Sequence, residues 1–347
     1  MASAPTPTTA VNASQRPSRD RSLAPVFVVG SPRSGTTLLY HMLLSAGRFA
    51  IYRAETHVFN VLAPRFGNAR TPADRAAMTE AFIRSDMFRV SELDPAAFRA
   101  DIERSCRNPG DFLRLFMEGI CRSQGVDRWA ETTPVHVLHV PEIKATIPDA
   151  LFIHVVRDGR DVAVSMMKQG WVRPMPWDRN APERAAGAFW AWVVESGERA
   201  GAGHEQDFLR VRYEDLTGSP QPTLDRIAEF IEQPLIHEEI LRAGVGSVSK
   251  PNTSFPGQTA SFHGRWKAEL SDDRALALEA MLAPVLARQR YAVGAFPAAD
   301  RNRGAASLAA YRAWFDARQA AKRTPLGRRM VSLELFEPGA VKPGEIR

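Results

Sequence analysis

Cysteine is almost missing from this chain: Cys106 and Cys121 are the only two in 347 residues. One possible pair is no disulfide framework, and the spacing is not that of a metal site, so the sequence reads as a protein of a reducing, cytoplasmic compartment. Clustered His and Cys ligands are lacking too, and no metal is expected. Long apolar runs are absent. Nothing approaches the roughly 20 residues of a bilayer-spanning helix, so no membrane span is expected. Residues 1–24 (MASAPTPTTAVNASQRPSRDRSLA) lack the apolar centre of a secretory signal and read as a disordered leader. Their few acids and three arginines make an organelle transit peptide the second reading. There is no internal repeat, which excludes a solenoid.

A basic excess on the folded body is also lacking. The net charge is +6, but residues 301–347 carry ten Lys and Arg against Asp316, Glu334, Glu337 and Glu345, and the leader adds Arg16, Arg19 and Arg21 against Asp20. The remainder is slightly acidic, so no nucleic-acid face is indicated. Residues 301–347 read as a solvated basic helix and tail.

What is present begins at residue 25. In PVFVVGSPRSGTTLLY (25–40), a β-branched and aromatic block closes on Gly30, and an apolar run at helical spacing follows from Thr37, which is strand, tight loop, helix. Gly30 and Gly35 let the loop turn its N–H groups inward, and the helix aims the positive end of its dipole at the same point. The spacing nearly matches the ATP-binding GxxxxGK[ST] loop, except that Thr36 stands where that loop has its lysine. Arg33 lies inside the loop instead, and its planar fork can grip a tetrahedral anion. A phosphate or sulfate is expected there.

Further strands are expected at 49–53 (FAIYR), 127–130, 150–156 (ALFIHVV) and 207–213 (DFLRVRY). Residues 57–125 read as a helical insertion with breakers at Pro64, Pro72, Pro95 and Pro109, and two further helices follow Asp158 and span 182–200. The fold class is α/β: a P-loop-like, three-layer α/β/α domain over 25–300 with a central parallel sheet. GSPRSGTT, RDGRDVAVS and RYEDL each follow an apolar strand, so they converge on one sheet edge. Arg157 ends a buried strand, and Ser165 lies two turns along the next helix, where the pair can hold a second phosphate. Asp158 and Asp161 read as helix N-terminal charges and Arg160 as their surface partner.

GSPRSGTTLL, LFIHVVRDGRDVAVSMM, RVRYEDL and HGRWKAEL, in this order, resemble the sulfotransferases that use 3'-phosphoadenosine 5'-phosphosulfate (PAPS) and release 3',5'-bisphosphoadenosine (PAP). The resemblance covers roughly residues 25–292. It implies that Gly30, Ser31, Pro32, Arg33, Ser34, Gly35, Thr36 and Thr37 hold the 5'-phosphosulfate, that Arg157 and Ser165 hold the 3'-phosphate, and that Arg265 lies near that phosphate. Many relatives have lysine where this chain has Arg33; arginine cannot act as an acid, so its expected role is charge stabilisation on the leaving phosphate. Tyr213, with Glu214 and Asp215, either contacts adenine or caps the next helix. Trp129 reads as core, and Trp266 as a stacking or core residue.

The acceptor hydroxyl or amine needs a base. Glu55 is the first choice, because YRAETHVF resembles the segment where tyrosylprotein sulfotransferases place a glutamate. His57 is second and Glu131 third. Thr132 departs from the lysine seen in many relatives, and Thr133 with Pro134 reads as a helix start. The insertion and residues 168–182, with Trp171, Met175 and Trp177, are expected to line a pocket for a small-molecule, carbohydrate or peptide acceptor. Competing readings are a P-loop kinase or triphosphatase using Asp158 for magnesium, and a catalytically silent nucleotide-binding protein with its basic tail as a docking element. The sequence leaves the oligomeric state open.

Overall fold

In a computed structural model of the protein, residues 20–248 and 263–340 are described. Most of the expected leader, residues 1–19, and the end of the tail from 341 lie outside them. Four parallel strands form one sheet in the order β2-β1-β3-β4: β1 (Val26–Gly30), β2 (Ala130–Glu131), β3 (Leu151–Val156) and β4 (Phe208–Arg212). β1 and β3 are buried throughout, as their unbroken apolar character requires of strands covered on both faces. Register sets Gly30 opposite Val155, and Val156 opposite Arg212, so the loop after β1, Arg157 and Tyr213 leave the sheet along one edge.

Side chains alternate between two cores. Phe27, Val29, Phe152 and Val156 face one, and Val26, Val28, Leu151, Ile153 and Val155 the other. The helices that matter for the site are α1 (Thr36–Ser45), α2 (Pro72–Ile83), α3 (Pro95–Ser105), α4 (Pro109–Gln124), α5 (Gly159–Gln169), α6 (Pro182–Ala202), α7 (Pro220–Ile231), α8 (Asp272–Arg288) and α9 (Ala298–Ala321). Pro72, Pro95 and Pro109 sit in the first turns of α2, α3 and α4 behind the caps Thr71, Asp94 and Asn108. A proline N–H would be unpaired in that turn anyway, so the residues read as breakers act as starts. The insertion closes on a phenylalanine cluster, Phe82, Phe88, Phe98, Phe112 and Phe116.

Two expectations change. Residues 49–53 form no strand; a single bridge from Phe49 to Arg128 is all that joins them to the sheet edge. The C-terminal helix α9 is not simply solvated: it buries Gly304, Leu308, Tyr311 and Phe315. Gly304 allows backbone contact, since a Cβ there would stand 2.8 Å from the Met281 backbone of α8.

His154 lies in the middle of β3, fully buried, and both ring nitrogens lack partners among the described residues. Burial, with Arg210 contributing, lowers its pKa from 6.5 to about 3, so the folded state holds the neutral ring. An unfolded chain protonates this histidine from about pH 6.5 downward while the folded one does not, so stability must fall as pH drops through the window between those values. His154→Leu should remove about 2 kcal/mol of the loss between roughly pH 6.5 and 5, measured as denaturant midpoints at each pH. Parallel pH profiles for wild type and variant would show that the ring is not the group responsible.

Candidate active site

The loop between β1 and α1 is shaped by two close approaches. Gly30 has φ +155°, and a Cβ on it would stand 2.5 Å from the Val155 carbonyl oxygen; Gly35 has φ +93°, and its Cβ would stand 2.3 Å from the Tyr213 ring. Arg33 also adopts positive φ, +70°, uncommon for a residue with a side chain. The backbone therefore wraps against the end of β3 and the ring that follows β4.

Two guanidinium groups, those of Arg33 and Arg157, meet at this loop, and Arg265, paired with Glu269 at 2.8 Å, adds its charge nearby. Arg33 Nε donates to Ser165 Oγ at 3.0 Å, and its plane lies 5.8 Å from the Trp171 ring. Arg157 Nη1 donates to the Arg33 carbonyl at 3.2 Å, with its guanidinium 4.7 Å above Tyr213. Burial, then the charges of Arg157 and Arg265, lowers the Arg33 pKa. Ser34 Oγ and Tyr213 Oη are buried and lack hydrogen-bond partners among the described residues. Burial pushes the Tyr213 hydroxyl up to about 12, so it remains a donor.

The acids beside the site hold its parts in place. Asp158 Oδ1 accepts from the Arg160 backbone at 2.9 Å and caps α5. Arg160 is no surface residue: it is buried, forks onto Asp158 at 3.0 and 2.7 Å, reaches Glu279 at 2.9 Å and lies 4.5 Å over Trp266. A basic residue at the second position of a helix looks exposed in sequence, and nothing local reveals that α8 and Trp266 cover it. Asp161 accepts from the backbone of Gly264 at 2.8 Å and of Trp266 at 3.1 Å, so it ties the HGRWK segment across the site. Glu214 accepts from the Asp158 N–H at 2.9 Å and from Tyr291 at 2.8 Å, which locks the end of β4 to the start of α5. Glu214 and Asp161 were legible as acids after a strand, but not as clamps.

Residues 25–238, more than half of the chain, match the model of the Sulfotransferase family. The chain belongs to the sulfotransferase family. No curated protein matches its sequence. Among solved structures, the sulfotransferase domain from the curacin biosynthetic pathway is similar at 19% identity and a TM-score of 0.53, covering 78% of this chain and 98% of that one. A sulfotransferase from Mycobacterium avium has 18% identity and a TM-score of 0.44 over 78% of each chain. A retinol dehydratase in complex with androsterone and the inactive cofactor PAP has 18% identity and a TM-score of 0.38, over 78% and 82%. The likeness to the curacin-pathway domain speaks to the fold.

In this sulfotransferase the candidate bases separate by burial. Glu131, at the end of β2, is fully buried and accepts from the Thr56 hydroxyl at 2.8 Å, the Thr133 N–H at 3.1 Å and His136 Nδ1 at 3.1 Å. Burial opposes its ionisation, but these donors and the facing His136 outweigh it and hold the carboxyl well below the usual range. Its lone pairs are occupied by protein donors, and it organises the segment 55–57. Trp129 beside it is core, packed edge-on to Phe27. His57, with φ +51°, sits 3.3 Å from Glu55 through Nε2 and receives the Asn60 amide on Nδ1 at 3.2 Å. Burial, then His136, lowers the His57 pKa to about 4, so the ring is neutral near pH 7. With Nδ1 accepting, Nε2 carries the proton and points it at Glu55, whose side chain is 40% exposed. Among the described residues, no three His, Cys, Asp or Glu side chains gather as a metal ion would need, and no helix is long and apolar enough to cross a membrane.

The contact between Gly35 and Tyr213 can be tested by stability. Gly35→Ala should cost about 1–3 kcal/mol from the positive φ and the ring overlap. Combined with Tyr213→Ala, the double variant should lose less than the sum of the two, read as a double-mutant cycle in chemical denaturation. Strict additivity would show that the ring does not shape the loop.

Proposed function

We propose that the protein transfers the sulfonate group of PAPS to a hydroxyl or amine of an acceptor. The observation that carries this reading is the cradle itself: Arg33 and Arg157 on a glycine loop with the charge of Arg265 nearby, and Ser34 Oγ and Tyr213 Oη buried beside them without hydrogen-bond partners among the described residues. PAPS has anionic groups at both ends of an adenosine, and this chain has two adjoining grips for them. Residues 30–37 hold the 5' end through inward N–H groups, Ser34 and the α1 dipole. Arg157, Ser165 and Arg265 hold the 3'-phosphate, and Tyr213 walls the nucleotide side. When bound, PAPS supplies a sulfonate on a good leaving group.

Glu55 takes the acceptor proton as the acceptor oxygen or nitrogen forms its bond to sulfur, and the bond from sulfur to the phosphate oxygen breaks. Arg33 stabilises the negative charge that gathers on that phosphate oxygen. His57 is a positioning residue: neutral, and with both ring nitrogens engaged, it orients Glu55 and does not compete for the proton. The setting is cytosolic in this reading, supported by Cys106 and Cys121, both buried and free, with thiols pushed up to about 11 by burial first. The acceptor is a small molecule, carbohydrate or peptide.

Calorimetry tests the nucleotide assignment. PAP should bind far more tightly than AMP, and Arg157→Ala should remove about 2 kcal/mol of that preference, roughly thirtyfold. Equal affinity for the two nucleotides in the wild type would overturn it. Turnover tests the roles of the side chains. Arg33→Ala should reduce kcat on the order of several hundredfold, with Arg33→Lys retaining part of it. Glu55→Gln should abolish transfer with PAP affinity kept, while His57→Ala should lower kcat less and alter its pH profile. A dead His57 variant beside an active Glu55 variant would exchange the two roles.

A further inference from the structure

The basic C-terminal helix has no part in the chemistry above, yet it is held in a fixed register. Tyr311 donates to Asp178 at 3.0 Å, and Trp192 of α6 donates to Asp316 at 2.7 Å. The face of α9 that projects past these anchors carries Trp314, Arg318, Gln319 and, just beyond the helix, Lys322. These residues form one wall of a cavity of about 620 Å³. Pro32 of the anion loop, Asn60 beside His57, and Trp171 form others, so the cavity adjoins the anion loop and the segment that carries His57.

Its lining is aromatic, and its charge is of one sign. Arg173, Arg318 and Lys322 line it, and no Asp or Glu does. None of the three has a carboxylate within ion-pair distance among the described residues, although Arg288 and Arg312 nearby both pair with Glu195 at 2.6 Å. Lys322 Nζ is held inward by the Asn60 carbonyl at 3.3 Å, and Arg318 stacks 4.6 Å from the Trp314 ring. Arg173 and Arg318 are exposed at the mouth of the cavity and Lys322 is half-buried, so a ligand that enters beside the aromatic wall meets cations that no carboxylate neutralises.

We propose that the acceptor is a flat, apolar or aromatic molecule that itself bears an anionic group, bound by Arg318, Lys322 and Arg173, with its nucleophile directed toward the anion loop. The inference rests on the sulfotransferase reading and specifies its substrate class. It makes α9 a specificity element.

Two fluorescent probes with the same ring system isolate the charge: 8-anilinonaphthalene-1-sulfonate is an anion, and N-phenyl-1-naphthylamine is neutral. The anion should bind the full-length protein about tenfold more tightly or better at low salt, and rising salt should narrow the gap. Arg318→Ala with Lys322→Ala should weaken the anion by about tenfold and leave the neutral probe within about twofold. Thermal midpoints check folding, and if the double variant is unstable, the single variants Arg318→Gln and Lys322→Met carry the same comparison. Equal binding of the two probes, or an unchanged anion affinity in folded variants, would overturn the proposal. PAP calorimetry on the same samples separates the readings: lost PAP binding defeats the nucleotide assignment, whereas probes that do not discriminate, with PAP still bound, defeat this one.

Discussion

The Tyr213 ring is the surface on which the anion cradle is assembled. Gly35 presses against it from the loop, and the Arg157 guanidinium lies 4.7 Å above it. Parallel pairing of β1, β3 and β4 is what delivers these three residues to one edge, because each leaves its own strand at the same level. Without the ring, Arg157 would lose its platform and the loop its backstop. A cation over an aromatic face is attracted by the ring quadrupole, which offsets part of the hydration it loses. The arrangement therefore allows guanidinium groups to be crowded where an anion must enter.

Crowding of that kind needs opposite charge, and the protein supplies it just outside the cradle. Asp158, Asp161 and Glu214 each use their oxygens on backbone N–H groups or on Arg160, and so tie α5, β4 and the 263–266 segment together. The carboxylates lower the electrostatic cost of the arginines without occupying their inner faces. Burial raises the Asp161 pKa, while Arg157 and the two backbone donors oppose that rise. A neutral amide there would keep the shape of one acceptor and lose the second, so the role is both electrical and geometric. Glu131 acts similarly on the acceptor side, where it gathers Thr56, Thr133 and His136 around the turn that presents Glu55.

The sheet and the anion loop were legible because their signals are local. A continuous apolar run closed by glycine and followed by a 3.6-residue period reads as strand, loop and helix, and Arg157 directly after β3 inherits its position from that strand. FAIYR misled because its composition is that of a strand, but its backbone has only the short edge at Arg128 to pair with. Arg160 and α9 misled for a different reason. Their burial comes from α8, which lies more than a hundred residues from one and across a turn from the other, and no window of sequence contains that contact. The order of the three candidate bases followed resemblance, whereas their separation by burial and by occupied lone pairs required coordinates.

Arg33, Arg157, Ser165 and Tyr213 lie within residues 25–238, whereas Arg265 and α9, which begins at Ala298, lie beyond the stretch that marks the family. One wall of the cavity beside Pro32 and Asn60 is thus contributed by a segment outside that stretch. On the proposed reading, donor handling and acceptor choice are physically modular in this chain. A lineage could exchange the residues that α9 presents, from basic to acidic or from aromatic to small, and reach new acceptors with the donor machinery untouched, provided that Gly304 still let the helix lie flat on α8.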